Sequence, residues 1–266
     1  MARAPLIRPT DAPPRAHENG VPDAPAAKTT ARAQDPEARP DRPRHVAIIM
    51  DGNRRWARAR GASELEGHAA GVEAIRELLR HAVRTGIPVL TLYAFSRENW
   101  ARTDEEVVGL FGLLEAAIRS ETAELRTQGV QVRLLGRLDE LPPATRASIE
   151  SALSATAGGD RLRLNIAFNY AGRTELVDAV RSIVRSGVAP EGIDESTVSQ
   201  ALYTSGLPDP DLVIRTGGEH RLSNFLIWQS AYAELVMSET LWPDFGPADL
   251  DDALAQYASR TRRFGR

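Results

Sequence analysis

The residues best suited to chemistry stand together at Asp51-Gly52-Asn53-Arg54-Arg55-Trp56. They follow a short apolar run, Val46 to Met50, and open into a helix-competent stretch. Guanidinium groups are fork-shaped, charge-assisted donors that match phosphate, and the N–H groups at a helix start favour anions. Gly52 lets the backbone come close to a ligand. An aspartate among such donors makes sense if a cation lies between it and phosphate oxygens, and Mg²⁺ held by one or two carboxylates plus substrate phosphates does this. Taken alone, the same residues also read as a helix cap beside solvated arginines.

A second cluster changes that balance. Asp211-Leu212-Val213-Ile214 runs directly into Arg215-Thr216-Gly217-Gly218-Glu219-His220-Arg221-Leu222-Ser223-Asn224. Here again a buried-type strand leads into a loop with glycines, two arginines and hydroxyl donors. Two such loops suit two phosphorylated substrates, or one long one. A third element, Ser96-Arg97-Glu98-Asn99-Trp100-Ala101-Arg102, adds an amide, a large aromatic and further arginines. Trp100 by itself reads as plain packing.

The elements that must position these loops are strands alternating with helices. Val46–Met50, Val89–Phe95, Val130–Leu135, Leu162–Phe168 and Leu212–Ile214 are apolar runs of strand type, and Phe225–Trp228 is a further candidate. Helical periodicity covers about His68–Arg84, Asp104–Gln128, Pro142–Thr156, Thr174–Arg185 and Pro247–Arg262. Thr103 is the expected N-cap of the second of these, with Glu106 completing a capping box. Apolar strands alternating with helices predict an α/β fold, a single domain with a mostly parallel central sheet flanked by helices. Residues 1–43 are rich in Pro, Ala, Arg and Asp and poor in large apolar side chains, so a disordered N-terminal tail precedes a catalytic domain over 44–266.

Composition excludes several classes. The 266 residues carry a net charge of −3, so no global basic field points to nucleic acid. The absence of cysteine removes disulfides and thiolate metal sites. No apolar run reaches the ~20 residues of a membrane span, and no secretory signal is evident. A cytoplasmic location is the expectation.

With these residues in place, the sequence resembles the cis-prenyltransferase family, typified by undecaprenyl diphosphate synthase. The resemblance rests on HVAIIMDGNRRWA, GHAAG, TLYAFSRENW, FNYAGRTELVDA, DPDLVIRTGGEHRLSNFLIWQSAYAEL, LWPDF and YASRTRRFG, in that order from His45 to the C-terminus. It implies a Mg²⁺-dependent enzyme that condenses isopentenyl diphosphate with an allylic diphosphate, farnesyl diphosphate being the expected primer. Asp51 would bind Mg²⁺ and assist departure of the allylic diphosphate. Gly52, Asn53, Arg54, Arg55 and Trp56 would hold that diphosphate, with His68 nearby. Ser96, Arg97, Glu98, Asn99, Trp100 and Arg102 would line the reacting centre, with Asn99 helping to take up the proton. Arg215, Arg221, Leu222 and Ser223 would grip isopentenyl diphosphate, and Glu234 would complete the metal site. Arg263 reaching a partner's site implies a homodimer, and product release implies peripheral contact with a membrane. Val107, Leu110, Phe111 and Leu114 read equally as walls of a channel for the growing chain and as ordinary core.

The departures from the pattern are informative. Arg54 stands where many bacterial members have glycine, Thr103 replaces a proline, and Glu64 stands where many relatives have an arginine for the allylic diphosphate. A carboxylate there repels phosphate, so that role is not transferred; Arg54, Arg58 or Arg60 is expected to compensate. The uninterrupted stretch from Glu106 to Leu135 favours an undecaprenyl-type product, with a farnesyl-length product as the alternative. A phosphatase of the aspartate-nucleophile class would also begin with Asp at a strand end, but Asn53 occupies the acid/base position. A catalytically silent binding subunit should have lost Asp51 or the Arg215–Asn224 loop, and this chain keeps both.

Overall fold

The structure, a computed structural model, describes residues 42–260. The expected tail over 1–43 falls almost wholly outside that range, as does Arg263. Six strands form one sheet: β1 His45–Ile49, β2 Val89–Ser96, β3 Val130–Leu135, β4 Leu162–Tyr170, β5 Leu212–Arg215 and β6 Glu234–Met237. Their order is β3-β4-β2-β1-β5-β6 and every pairing is parallel. The helices are α1 Asn53–Ala59, α2 Glu64–Thr85, α3 Asp104–Thr127, α4 Pro143–Thr156, α5 Gly172–Arg185, α6 Glu195–Ala201 and α7 Pro247–Ser259.

Strand β1 explains the layering. All five of its residues are buried, and alternate side chains leave by opposite faces. Val46 and Ile48 join a core with Leu78 and Leu79 of α2 and Leu250 of α7. Ala47 and Ile49 join another, with Val213, Tyr170 and Phe225. A third cluster, built around Phe95, Trp100, Phe111 and Phe168, fixes α3 over β2 and β4. At the amino end of the sheet, His45 shares a 2.7 Å hydrogen bond with Thr91, whose hydroxyl also accepts from Asn165. Burial pushes the His45 imidazole down to about 4, so it stays neutral among these strands.

The chain leaves β1 toward β2 on one side, whereas β5 and β6 are laid down on the other. The β1/β5 boundary is thus the point where the winding reverses, and crevices for ligands open there at the carboxyl ends of the strands. The register puts Ile49 opposite both Tyr93 and Arg215, so the loops after β1, β2 and β5 emerge side by side.

Several elements differ from the sequence reading. Helix α2 starts at Glu64, four residues before the expected His68, because Ser63 and Glu66 form a reciprocal capping box. Thr103 caps α3 by accepting from the Glu106 N–H, but the Glu106 carboxylate turns to Arg102 instead of closing the box. Phe225–Trp228 is a turn, with Leu226 at φ 43°, and the strand comes later as β6. Helix α6 had no counterpart in the reading of the sequence.

Candidate active site

The floor of the site is the end of β1. The Thr216 hydroxyl accepts from the Asp51 N–H at 2.9 Å and donates to the Asp51 carbonyl at 2.7 Å. This clasp holds Asp51 against the residue that follows β5. Arg215, only 4% exposed, donates to the Asp51 carboxylate at 2.7 Å, to the Ser223 hydroxyl at 2.7 Å and to the Arg221 carbonyl at 2.6 Å. Arg55 reaches the other Asp51 oxygen at 3.2 Å and donates to the Gly217 carbonyl at 2.6 Å. Positive φ at Gly52 (117°) and Gly217 (81°) makes both turns possible, and a Cβ on Gly217 would sit 2.5 Å from the Arg55 guanidinium.

Above this floor is a polar hollow of about 250 Å³. Asp51, Gly52, Asn53, Arg54, Arg55, His68 and Arg102 line it, as the sequence predicted, together with Met50 and Arg58. Its rim is set by two ion-pair groups. Glu64 accepts from Arg54 at 2.8 Å and from Arg58 at 3.1 Å. Its hydrogen bond with Arg54 is the main reason the Glu64 carboxyl titrates below its usual range and the Arg54 guanidinium above its own. Opposite, Arg102 donates to Glu106 at 2.6 Å, and His68 lies 3.5 Å from the same carboxylate oxygen. Burial, then the charge of Arg102, pushes the His68 imidazole down and favours its neutral form. Around the hollow, Arg54, Arg55, Arg58, Arg102 and Arg215 face the carboxylates of Asp51, Glu64 and Glu106. A cation surplus remains for an anionic ligand.

The loop after β5 is bent into place. Ser223, Asn224 and Leu226 all have positive φ (47°, 63° and 43°), a conformation that persists only where the surroundings enforce it. Asn224 supplies that enforcement. Its side chain accepts from the Arg173 N–H and donates to Glu98, both at 2.8 Å, so it ties the loop to the start of α5 and to the loop after β2. In the latter loop the Asn99 side-chain oxygen accepts from the Ser96 N–H at 3.0 Å.

Not every residue named from the sequence reaches the hollow. Trp56 gives its indole N–H to Asp244 at 2.7 Å and lies under the Arg60 guanidinium, 4.2 Å from the ring centre. Arg97 is drawn away to Glu140. Trp100 is 7% exposed in the aromatic cluster, with its N–H on Asn169 at 2.9 Å. Leu222 packs against the core near Tyr93 and Phe225, and Arg221 pairs with Glu219 at the surface. Glu234 stands opposite Leu212 at the start of β5, and Leu212 is opposite Val46. That is five residues below Asp51, about 16 Å along the strand direction, and the Glu234 carboxylate is engaged by Arg260 at 2.8 Å. Within one chain, Glu234 and Asp51 do not share a metal. Met50, Thr216 and Asn224 were missed as site residues; Met50 and Thr216 could have been found by position, at or just past predicted strand ends, whereas Asn224 carries no such signal.

The donor set nevertheless suits a magnesium ion of one kind. Among the described residues no three acidic or histidine side chains converge, but the Asp51 carboxylate is 30% exposed and its oxygens face the hollow's arginines. One carboxylate with the remaining ligands from phosphate and water is an ordinary Mg²⁺ environment.

Beside the hollow, and sharing Met50, Asn53 and His68 with it, runs an apolar channel between α2, α3 and the sheet. Leu110 and Leu114 line it, whereas Val107 and Phe111 are core, so the two readings of that helix divide between its residues. This arrangement, an anion-binding pocket leading into an apolar channel, accompanies a clear relationship. A family model described as "Putative undecaprenyl diphosphate synthase" matches residues 49–265.

The chain belongs to this prenyltransferase family.

Isoprenyl transferase of Heliobacterium mobile is 50% identical over 84% of this chain and 87% of its own length. Isoprenyl transferase of Brucella abortus is 52% identical over 84% and 89%. Among solved structures, lavandulyl diphosphate synthase from Lavandula x intermedia in complex with dimethylallyl diphosphate has a TM-score of 0.82 at 40% identity, over 85% of this chain and 99% of that one. A probable undecaprenyl diphosphate synthase from Campylobacter jejuni has a TM-score of 0.72 at 31% identity, over 84% and 99%. The prenyltransferase fold of this chain thus agrees with the single α/β domain expected from its sequence.

Proposed function

We propose that this prenyltransferase adds isopentenyl diphosphate to an allylic diphosphate, with farnesyl diphosphate as primer and an undecaprenyl-type cis-polyprenyl diphosphate as product. The observation that carries this reading is the junction at Met50, Asn53 and His68, where the arginine-lined hollow meets the apolar channel. An amphiphile with an anionic head and a hydrocarbon tail matches both halves at once. The diphosphate head lies against Arg54, Arg55, Arg58 and the N–H groups at the start of α1, and the tail enters between α2 and α3. The second diphosphate lies against Arg215 and Ser223.

Ionisation of the allylic substrate places negative charge on its leaving diphosphate, and fixed guanidinium groups stabilise that charge as it develops. Asp51 would hold Mg²⁺, which neutralises diphosphate oxygens when bound. Arg215 then exchanges part of its contact with Asp51 for phosphate. Asn99, held by the Ser96 N–H, positions an amide at the end of β2 beside the reacting carbons. Each CH₂ transferred from water to the channel contributes ~0.8 kcal/mol, which draws the lengthening tail inward. A homodimer belongs to the same reading, supported by the exposed apolar face of Val177, Val180 and Val184 on α5, as does peripheral contact with a membrane at product release.

The test is to incubate purified protein with Mg²⁺, labelled isopentenyl diphosphate and allylic primers of several lengths, and to size the extracted lipids. Labelled lipid that requires primer and Mg²⁺ is expected. Folded protein that labels no lipid with any primer would reject the proposal.

A further inference from the structure

Helices α2 and α3 close over the apolar channel in an unusual way. Near the hollow they touch directly: a Cβ on Gly109 of α3 would lie 2.8 Å from the Leu65 side chain of α2. Three turns further along both helices, about 16 Å away, they are joined again, now by charge. Arg76 donates to both carboxylate oxygens of Glu121, at 3.0 and 2.6 Å. Between these two closures the helices present Val72, Ile75, Leu114 and Ile118 to the channel.

The Arg76–Glu121 pair is set apart by facing two ways. Both side chains line the channel, yet they keep 32% and 20% of their surface exposed. With the 65% exposed Glu73 against Arg76 on the outside and the channel on the inside, the pair stands between the channel and solvent. The pair beyond it, Arg80 with Glu124 at 2.8 Å, joins the same helices but does not line the channel. Arg76 is also anchored on its own helix by Glu73.

On the reading that this chain elongates a prenyl tail, we infer that the Arg76–Glu121 pair determines product length by sealing the side of the channel. A tail passing the pair is confined to the space between α2, α3 and the sheet, and elongation stops when that space is full. A tail cannot part the pair without stripping water from two charges for which hydrocarbon offers no partner. Without the pair, the seam between the helices opens. The tail then leaves sideways, and the volume of the channel no longer limits the number of additions.

The experiment compares wild type with Glu121→Ala, Arg76→Ala, the exchange Arg76→Glu/Glu121→Arg, and Glu124→Ala, all checked for folding by circular dichroism. Total label entering extractable lipid reports elongation itself; chromatography of the dephosphorylated lipids reports length. The expected result is a main product at least one isoprene unit longer, with a broader distribution, for Glu121→Ala and Arg76→Ala. The exchange variant, which rebuilds the pair, returns toward the wild-type length. Glu124→Ala, which removes an interhelix ion pair but no channel wall, keeps it. If wild type elongates and the two alanine variants give wild-type or shorter lengths, the seal is refuted while the elongation reading stands. The same holds if Glu124→Ala lengthens the product equally, since the pair would then be helix cement alone. A wild type that labels no lipid removes both.

Discussion

Two regions of this molecule are built from the same residue types and do opposite things. The hollow beside β1 gathers arginines with Asp51, Glu64 and Glu106. Under α5, Arg97, Arg137, Glu140 and Asp178 form a second cluster, extended by hydrogen bonds from Tyr203 to Asp178 and from Asn169 to Glu140. In the second cluster Arg137 and Asp178 are each 5% exposed and face each other through two 2.8 Å bonds. Its two largely buried guanidinium groups, Arg97 and Arg137, are matched by its two carboxylates, and Arg181 adds only a 3.6 Å contact to Asp178 from the surface. In the first, the guanidinium groups outnumber the carboxylates and open onto solvent. Arginine marks a binding site where its charge is left unbalanced beside a cavity, and a structural joint where it is cancelled out of reach of water.

The largest test of that contrast is Asp51→Asn, which keeps the shape but removes the charge that would hold Mg²⁺. A fall in kcat of ~10³-fold is expected, with more Mg²⁺ needed for half-maximal rate; steady-state kinetics across a Mg²⁺ series decide it. Next is Arg137→Ala in the closed cluster, which takes from Asp178 its buried guanidinium partner and should cost about 3–5 kcal/mol of stability. Urea unfolding reads this, and the KM of whatever remains folded should hold. A loss of substrate affinity at full stability would reverse the assignment of the two regions. Arg54→Ala should raise the allylic KM about 10-fold, the scale of one lost charge-assisted contact; an unchanged KM would mean that Arg54 serves only to neutralise Glu64. The smallest effect belongs to Arg97→Ala. It removes a residue that pairs with Glu140 away from the hollow and is expected to change KM by no more than ~2-fold.

The same contrast measures how much could be read from sequence. The sheet was legible because strands buried on both faces are nearly continuous apolar runs, as in Val46–Ile49 and Leu212–Ile214. The floor of the site was legible because Asp51 and Arg215 stand at the ends of such runs. Side-chain direction was not. Arg97 and Arg102 lie five residues apart around one short 3₁₀ turn, Arg97–Ala101, yet one pairs with Glu140 and the other lines the hollow. Composition cannot separate them, because the deciding carboxylate is over forty residues away. The distance of Glu234 from Asp51 within the chain was hidden for a related reason: it depends on the register of β6 against β5, which a strand pattern does not specify. Phe225–Trp228 has the apolar character of a strand, and only its backbone bend reveals a turn.

The clasp between Thr216 and Asp51 joins residues 165 positions apart, and β5 enters the sheet beside β1 only after four other strands have been made. During synthesis the aspartate is therefore present long before Arg215, the later of its two arginine partners, and a chain halted anywhere before β5 lacks the floor that Arg215 completes. The anion-binding floor therefore waits on β5, and a nascent chain still short of Leu212–Arg215 carries the aspartate without it.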